Sequence, residues 1–240
     1  TSFVSGTTEN REYTRGLCVY WFSNYPTKVV DGAPHRDGDP IADAYYVVRF
    51  DNLVVFCLCD GCGWGVEPSY CAHVGSVAFV RYVLKALRAA PPADTAALVE
   101  LLKLGLGQAH QAILNLPVPE GKNPGTCTFS GGVSVPLGDA ADRYLLVGVN
   151  VGDCKCFVAR AGGDVQDLTF GSRLNQVNSN DPGGRLGHQK ESTRLPDLRN
   201  CFVFHSELGP QVIFFVCSDG VHDMLSDADL AVLLKGASSP

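Results

Sequence analysis

Apolar residues follow two rhythms along this chain. The segments 53–59, LVVFCLC, and 212–217, VIFFVC, are uninterrupted apolar runs of strand length, the pattern of strands covered on both faces. Segments 16–22, 44–50, 126–135, 144–150, 154–159 and 201–205 also read as extended. The turn-rich DGAPHRDGDP joins the first two, and Asp51-Asn52 turns 44–50 back onto 53–59 as a hairpin. From 68 to 90 the rhythm becomes helical: Cys71, Val74, Ala78, Phe79, Val83 and Leu87 recur mostly at three- and four-residue steps, with Arg81, Lys85 and Arg88 off that stripe. Pro91-Pro92 breaks this helix, Asp94 caps a second one running to about 116, and 227–234 forms a short last helix. The stretch 168–198 is long, polar and rich in Gly, Asn and Ser, a connection of the kind that carries function or moves.

A helical pair set among antiparallel strands predicts an α+β architecture. Two antiparallel sheets pack as a β-sandwich, flanked by α-helices that cover the outer faces. Residues 1–15 read as a polar N-terminal segment, and 16–240 as one domain. The opening Thr marks the chain as trimmed or part of something longer.

Bulk composition narrows the function. At 240 residues, 45% hydrophobic and 18% charged, the chain is ordinary globular material. A net charge of −6 argues against a nucleic-acid or anionic-membrane binder, which needs clustered cations. Nothing is apolar for the roughly 18 residues that a membrane helix requires, and no secretory leader stands at the N-terminus. The ten cysteines include Cys57, Cys59, Cys156, Cys201 and Cys217 in or beside apolar runs, where a free thiol behaves as a small hydrophobe. Reduced thiols in a cytoplasmic or nuclear setting, rather than a secreted disulfide scaffold, are expected.

The candidate chemistry sits at the ends of the strands. Asp43 precedes AYYVV, Asp60 follows FCLC, Asp153 ends Asn150-Val151-Gly152-Asp153, and Asp219 follows FFVC. Singly, each of these is also ordinary turn chemistry. An aspartate closing a greasy strand is costly unless it is paired, hydrogen-bonded or bound to a metal. Two of them, Asp60 and Asp219, each closing an unbroken apolar run, point to carboxylates converging on one hard-metal site.

In order and context these motifs resemble the metal-dependent protein phosphatase 2C family. The matching stretches are Ala42-Asp43-Ala44, Asp60-Gly61-Cys62-Gly63-Trp64-Gly65, Asn150-Val151-Gly152-Asp153-Cys154 and Ser218-Asp219-Gly220-Val221-His222-Asp223. The resemblance runs from about residue 16 to 235 and is nearest to a divergent branch with Asp-Pro-Gly-Gly-Arg-Leu-Gly, here at 181–187. It implies a phosphoserine/phosphothreonine phosphatase acting on a phosphoprotein substrate, with two Mg²⁺ or Mn²⁺ ions activating a water for attack on phosphorus. It further implies Asp60 as the bridging ligand, Gly61 giving its carbonyl, and Asp219 completing the cluster. Asp153 would belong to a third, weaker metal, and Asp43 would act through water. A monomer is the expected state.

Three departures from the family pattern define a second reading. The histidine that would protonate the leaving alcohol is Cys62 here. The phosphate-gripping arginine is displaced, with Arg36 the nearest residue in sequence. A last metal-binding aspartate would follow the helix at 227–234, so the domain is expected to continue past residue 240. Together they imply the alternative of a weak or inactive pseudophosphatase used as a binding or regulatory module.

Rival chemistries carry less. A zinc site from Cys57, Cys59, Cys62, Cys71 and His73 runs against Cys-x-Cys spacing, which sets 57 and 59 on one strand face. A Cys62 nucleophile needs neighbouring positive charge that the sequence does not supply. His222 reads as a packing or capping residue, Trp64 as a loop anchor with a buried ring, and Arg185 as either a phosphate contact or a loop brace.

Overall fold

A computed structural model describes residues 2–6, 10–14, 17–21, 23, 25–117, 124–138, 142–160, 164–171, 182–188 and 194–237, with 2–21 as backbone. In chain order the elements begin with β1 (Ser2–Gly6), β2 (Asn10–Thr14), β3 (Leu17–Trp21), β4 (Thr27–Val30) and β5 (Ala33–Arg36). The expected hairpin follows as β6 (Ala44–Arg49) and β7 (Val54–Gly61), then the helices α1 (Val66–Ala89) and α2 (Thr95–Leu114). Strands return as β8 (Thr126–Pro136), β9 (Tyr144–Val151), β10 (Lys155–Ala159), β11 (Val165–Asp167), β12 (Leu186–Gly187), β13 (Phe202–Leu208) and β14 (Ile213–Cys217). The short α3 (Asp219–His222) and α4 (Asp227–Ala237) close the chain.

Ten of the strands form two antiparallel sheets, and β2-β3 and β4-β5 stand as separate pairs. The larger runs β1-β6-β7-β8-β9-β13 with β12 on β8, and the smaller runs β11-β10-β14. Side chains alternating across each strand then define three apolar layers. Ala44, Tyr46, Val48, Val55, Cys57 and Cys59 face α1 and α2 and join Phe79, Leu102 and Ile113 in one core. The opposite faces of the same strands, with Tyr45, Val47 and Phe56, meet Cys156 and Val158 of the smaller sheet in a second. Phe157, Ala159 and Cys217 turn outward under Leu230 and Leu234 of α4 in a third. The order is helices, sheet, sheet, helix. This is why 53–59 and 212–217 are apolar at every position: both faces of β7 and β14 are covered.

Local signals hold at the helix starts and turns. The Asp94 carboxylate accepts from the Ala97 N–H at 2.8 Å, the expected N-cap. Phe50 N–H donates to the Leu53 carbonyl at 2.7 Å, closing the β6–β7 turn. Two stretches hold more strand than their sequence signals. Segment 1–15 supplies β1, an edge strand on β6, and β2, which pairs with β3 rather than with the sandwich. The link between β3 and β6 carries the exposed β4–β5 hairpin. Backbone ladders hold these strands, so apolar alternation does not reveal them. The long connection 168–198 is pinned by β12 and by a bridge between Arg185 and Asp197, while 172–181 and 189–193 lie outside the described residues. The nine described cysteines are all unbridged, and no helix among the described residues is long and apolar enough to cross a membrane.

Candidate metal centre

Topology brings four distant carboxylates to one end of the sandwich. β6 and β7 are antiparallel with Ala44 opposite Cys59, so Asp43, just before β6, lies beside Asp60 at the end of β7. β7, β8 and β9 alternate in direction, which sends the end of β9, and Asp153 after it, to the same rim. In the smaller sheet Lys155 pairs with Cys217, so the start of β10 and the end of β14 meet there too, and Asp219 follows. The donor atoms of Asp60, Asp153 and Asp219 lie within 4.8 Å of one another. Asp43 stands beside them, close enough for its charge to act on Asp60 and for the Asp219 charge to act on it, and the Ser218 hydroxyl donates to its Oδ2 at 2.7 Å.

Electrostatics at this rim run against four free anions. Burial, then the charges of Asp43 and Asp219, push the Asp60 carboxyl well above the usual carboxylate range. Burial likewise raises Asp43 to about 6, against the Ser218 hydrogen bond that favours its ionised form. Protons shared between carboxyls, or a cation among them, relieve such repulsion. The donors are hard oxygens, the set that Mg²⁺ and Mn²⁺ take, so the residues present fit those ions.

The backbone near these carboxylates is tightly set. A Cβ on Gly61 would stand 2.5 Å from the Pro68 carbonyl oxygen and 2.9 Å from that of Ala42, so only glycine lets the strand end pass between α1 and the Asp43 segment. Its N–H donates to the Ala42 carbonyl at 3.2 Å. Gly152 has φ +94, and a Cβ there would stand 2.5 Å from Thr128.

Asn200, which no sequence motif signals, fixes this turn. Its Oδ1 accepts from the N–H groups of Gly152 at 2.9 Å and Gly184 at 2.8 Å, and its Nδ2 donates to the Gly152 carbonyl at 3.0 Å. One buried amide thereby ties the Asp153 turn to the glycine loop that carries Arg185. His222 Nε2–H donates to the Asp153 carbonyl at 2.9 Å, a bracing contact in keeping with its expected packing or capping role. His110 of α2 holds the same loop from the other side, accepting from Gly187 N–H at 3.0 Å and donating to the Arg194 carbonyl at 3.0 Å.

The other sequence-predicted residues divide. Cys62 lies at the rim, its N–H bonded to the Thr126 carbonyl at 2.8 Å. Burial pushes its thiol up to about 11, with a separate hydrogen bond of the thiol itself to Thr126 and the Arg185 charge offsetting only part of this. That disfavours a thiolate nucleophile at neutral pH. Arg185 is thus the guanidinium that acts on Cys62, while Arg36 ends β5 on the hairpin leading towards Asp43. Trp64 does anchor its loop, its Nε1–H donating to the Tyr25 hydroxyl at 3.0 Å, but its ring is 68% exposed rather than buried. The zinc reading finds no support in this arrangement. Cys57, Cys59 and Cys71 sit in the helix-covered core, Cys57 and Cys59 with sulfurs 3.8 Å apart, and the group among the described residues arranged to hold an ion is Asp60, Asp153 and Asp219 instead.

No protein-family model matches the chain. It is 27% identical over 219 residues, 88% of its length, to the PP2C-like domain-containing protein CG9801 of Drosophila melanogaster, and spans 29% of that protein's length. Among solved structures it resembles the photosystem II phosphatase PBCP with a TM-score of 0.54 and 20% identity, over 83% of this chain and 66% of that one. At that identity the likeness is one of fold. The chain is similar to a protein phosphatase 2C-like protein in sequence and has a protein phosphatase 2C-like fold.

Two outcomes follow from this geometry. Between pH 3.8, where an unfolded aspartate ionises, and about 6, where folded Asp43 does, the native state binds more protons, so stability falls as pH rises through that window. With chelator present, Asp43→Asn is expected to flatten that fall, read from urea unfolding across the window. Asn200→Ala leaves the N–H groups of Gly152 and Gly184 without their acceptor. It is expected to cost about 1–3 kcal/mol for each unpaired N–H, measured by the same unfolding, and to weaken Mn²⁺ binding in calorimetry.

Proposed function

We propose that this chain is the phosphatase domain of a Mg²⁺- or Mn²⁺-dependent phosphoserine/phosphothreonine phosphatase. The observation that carries this reading is the convergence of Asp60, Asp153 and Asp219 within 4.8 Å, with Asp43 next to Asp60 across the β6–β7 pairing, in a protein phosphatase 2C-like fold. Asp60, the Gly61 carbonyl and Asp219 would hold the two principal cations, with Asp153 and Asp43 beside them. Bound there, the cations would supply charge neutralisation and a lowered pKa for the water that attacks phosphorus.

The chain's own residues do the rest. Ser218 orients the Asp43 carboxylate, while His222 and Asn200 hold the Asp153 turn. Arg185, on the loop that Asn200 fixes, is the positive charge acting at Cys62, and a guanidinium so placed suits a phosphoryl oxygen. Arg36 is a second candidate for that grip. Cys62 keeps its Sγ proton at neutral pH and is the residue that would deliver it to the leaving alkoxide. A phosphoprotein is the substrate class this implies.

One observation favours a second reading, a regulatory protein phosphatase 2C-like module with little turnover. A buried thiol raised to about 11 is a poor proton donor beside the imidazole of the family pattern. Hydrolysis of a phosphothreonine peptide with Mn²⁺ separates the two. Activity is expected to fall at least about a hundredfold in Asp60→Asn and in Asp219→Asn. Equal background rates in all three proteins would sink the enzyme reading and leave the regulatory one, with Mn²⁺ binding by calorimetry as its remaining check. Cys62→His is expected to raise kcat by about 10-fold or more by supplying an acid matched to neutral pH.

A further inference from the structure

Remote from the carboxylates, α1 borders a groove that the phosphatase reading does not use. Arg81, Lys85 and Arg88 are exposed and spaced i, i+4 and i+7, which places them on one face over two helical turns. α1 begins beside the metal centre at Val66, so Arg81 stands roughly 20 Å along the helix from it at about 1.5 Å per residue. Beneath these cations lies a cavity of about 400 Å³ floored by Tyr46, Val48 and Leu84. A second, of about 230 Å³, is floored by Phe50, Leu53 and Leu87. Both are lined by Leu84 and Arg88, so the two hollows lie side by side along a groove between α1 and the β6–β7 hairpin.

Two features set this groove apart from ordinary helix surface. None of the three cations is ion-paired with a carboxylate among the described residues, and Arg88 lies over the Phe50 ring at 5.8 Å. Only Arg88 belongs to the last turn, where the helix dipole by itself favours a cation. The whole chain is meanwhile acidic, at −6. An acidic partner is repelled by the net charge and attracted at this groove, which is how charge complementarity fixes where a partner docks.

We propose that this groove binds an acidic amphipathic segment of a partner protein. Its carboxylates meet Arg81, Lys85 and Arg88, and its apolar side chains enter the two hollows, an arrangement in which the groove supplies affinity and the charges supply register. The cations span about 10 Å, the length of two helical turns, so a short helix matches them. A concave, pocketed groove on an acidic protein fits a peptide better than an anionic bilayer, which would meet the remaining negative surface. The site is independent of catalysis.

The test uses the full chain and a fluorescein-labelled peptide of about twelve residues with Glu along one helical face and Leu along the other, read by fluorescence anisotropy. Micromolar binding is expected, weakened by salt and weakened about tenfold or more in the Arg81→Glu/Lys85→Glu double variant, whose fold is checked by thermal unfolding. Asp60→Asn is expected to bind as wild type does. Absence of binding up to about 200 μM peptide would overturn the proposal, that limit lying far above a micromolar Kd. So would equal binding of a peptide with Lys in place of Glu, or unchanged affinity in the double variant. Capture by phosphatidylserine vesicles without peptide binding would overturn it as well, assigning the groove to a lipid surface.

Discussion

Repulsion among carboxylates is the constraint around which this structure is arranged. Asp43, Asp60, Asp153 and Asp219 come from four separate stretches of chain and meet at one rim of the sandwich, where burial raises the cost of charge on Asp43 and Asp60. Close like charges tend to push their segments apart. What resists is a set of short, well-directed contacts: Ser218 on Asp43, His222 on the Asp153 carbonyl, and Asn200 clamping the preceding glycine. A site held this way keeps its geometry ready for a cation, rather than assembling it at the moment of binding.

The sandwich supplies the stiffness behind those contacts. β6, β7 and β10 are buried on both faces and β14 is half-buried between two apolar layers, so tilting any of them disturbs that packing. Phe79 and Phe129 meet edge to face at 4.9 Å within the helix-covered layer, under the strands that end at the site. The layers also leave α1 with two distinct ends. Its start abuts Gly61, and its far turns present cations over the apolar groove.

For function, the centre divides into an all-oxygen carboxylate cluster and one thiol at its rim. All-oxygen donors at this spacing suit divalent cations and phosphoryl transfer, and the protein phosphatase 2C-like fold agrees. Cys62 is where the two functional readings part, because its thiol is held protonated by burial yet gives up that proton reluctantly. Under the phosphatase proposal, Arg185 and Arg36 are the two candidates for the phosphate contact. The first is fixed by a buried amide network, and the second stands on an exposed hairpin.

Much of this was legible in the residues alone. The unbroken runs 53–59 and 212–217 required two-sided burial, the stripe from Cys71 to Leu87 required a helix, and Asp94 marked the next helix start, because periodicity and capping are local physics. The order of acidic turns was legible too, and with it the candidate ligands. Tertiary structure alone decided which side chains hold them. Asn200 bonds Gly152 across 48 residues and Ser218 reaches Asp43 across 175, separations at which no local pattern speaks. The edge strand β1 and the β4–β5 hairpin escaped for a related reason: backbone pairing, not apolar rhythm, defines them. Sequence determined which segments must be buried and which charges they carry to their ends. Only the fold decided which of those charges would face one another, because that depends on strand direction and register between segments far apart in the chain.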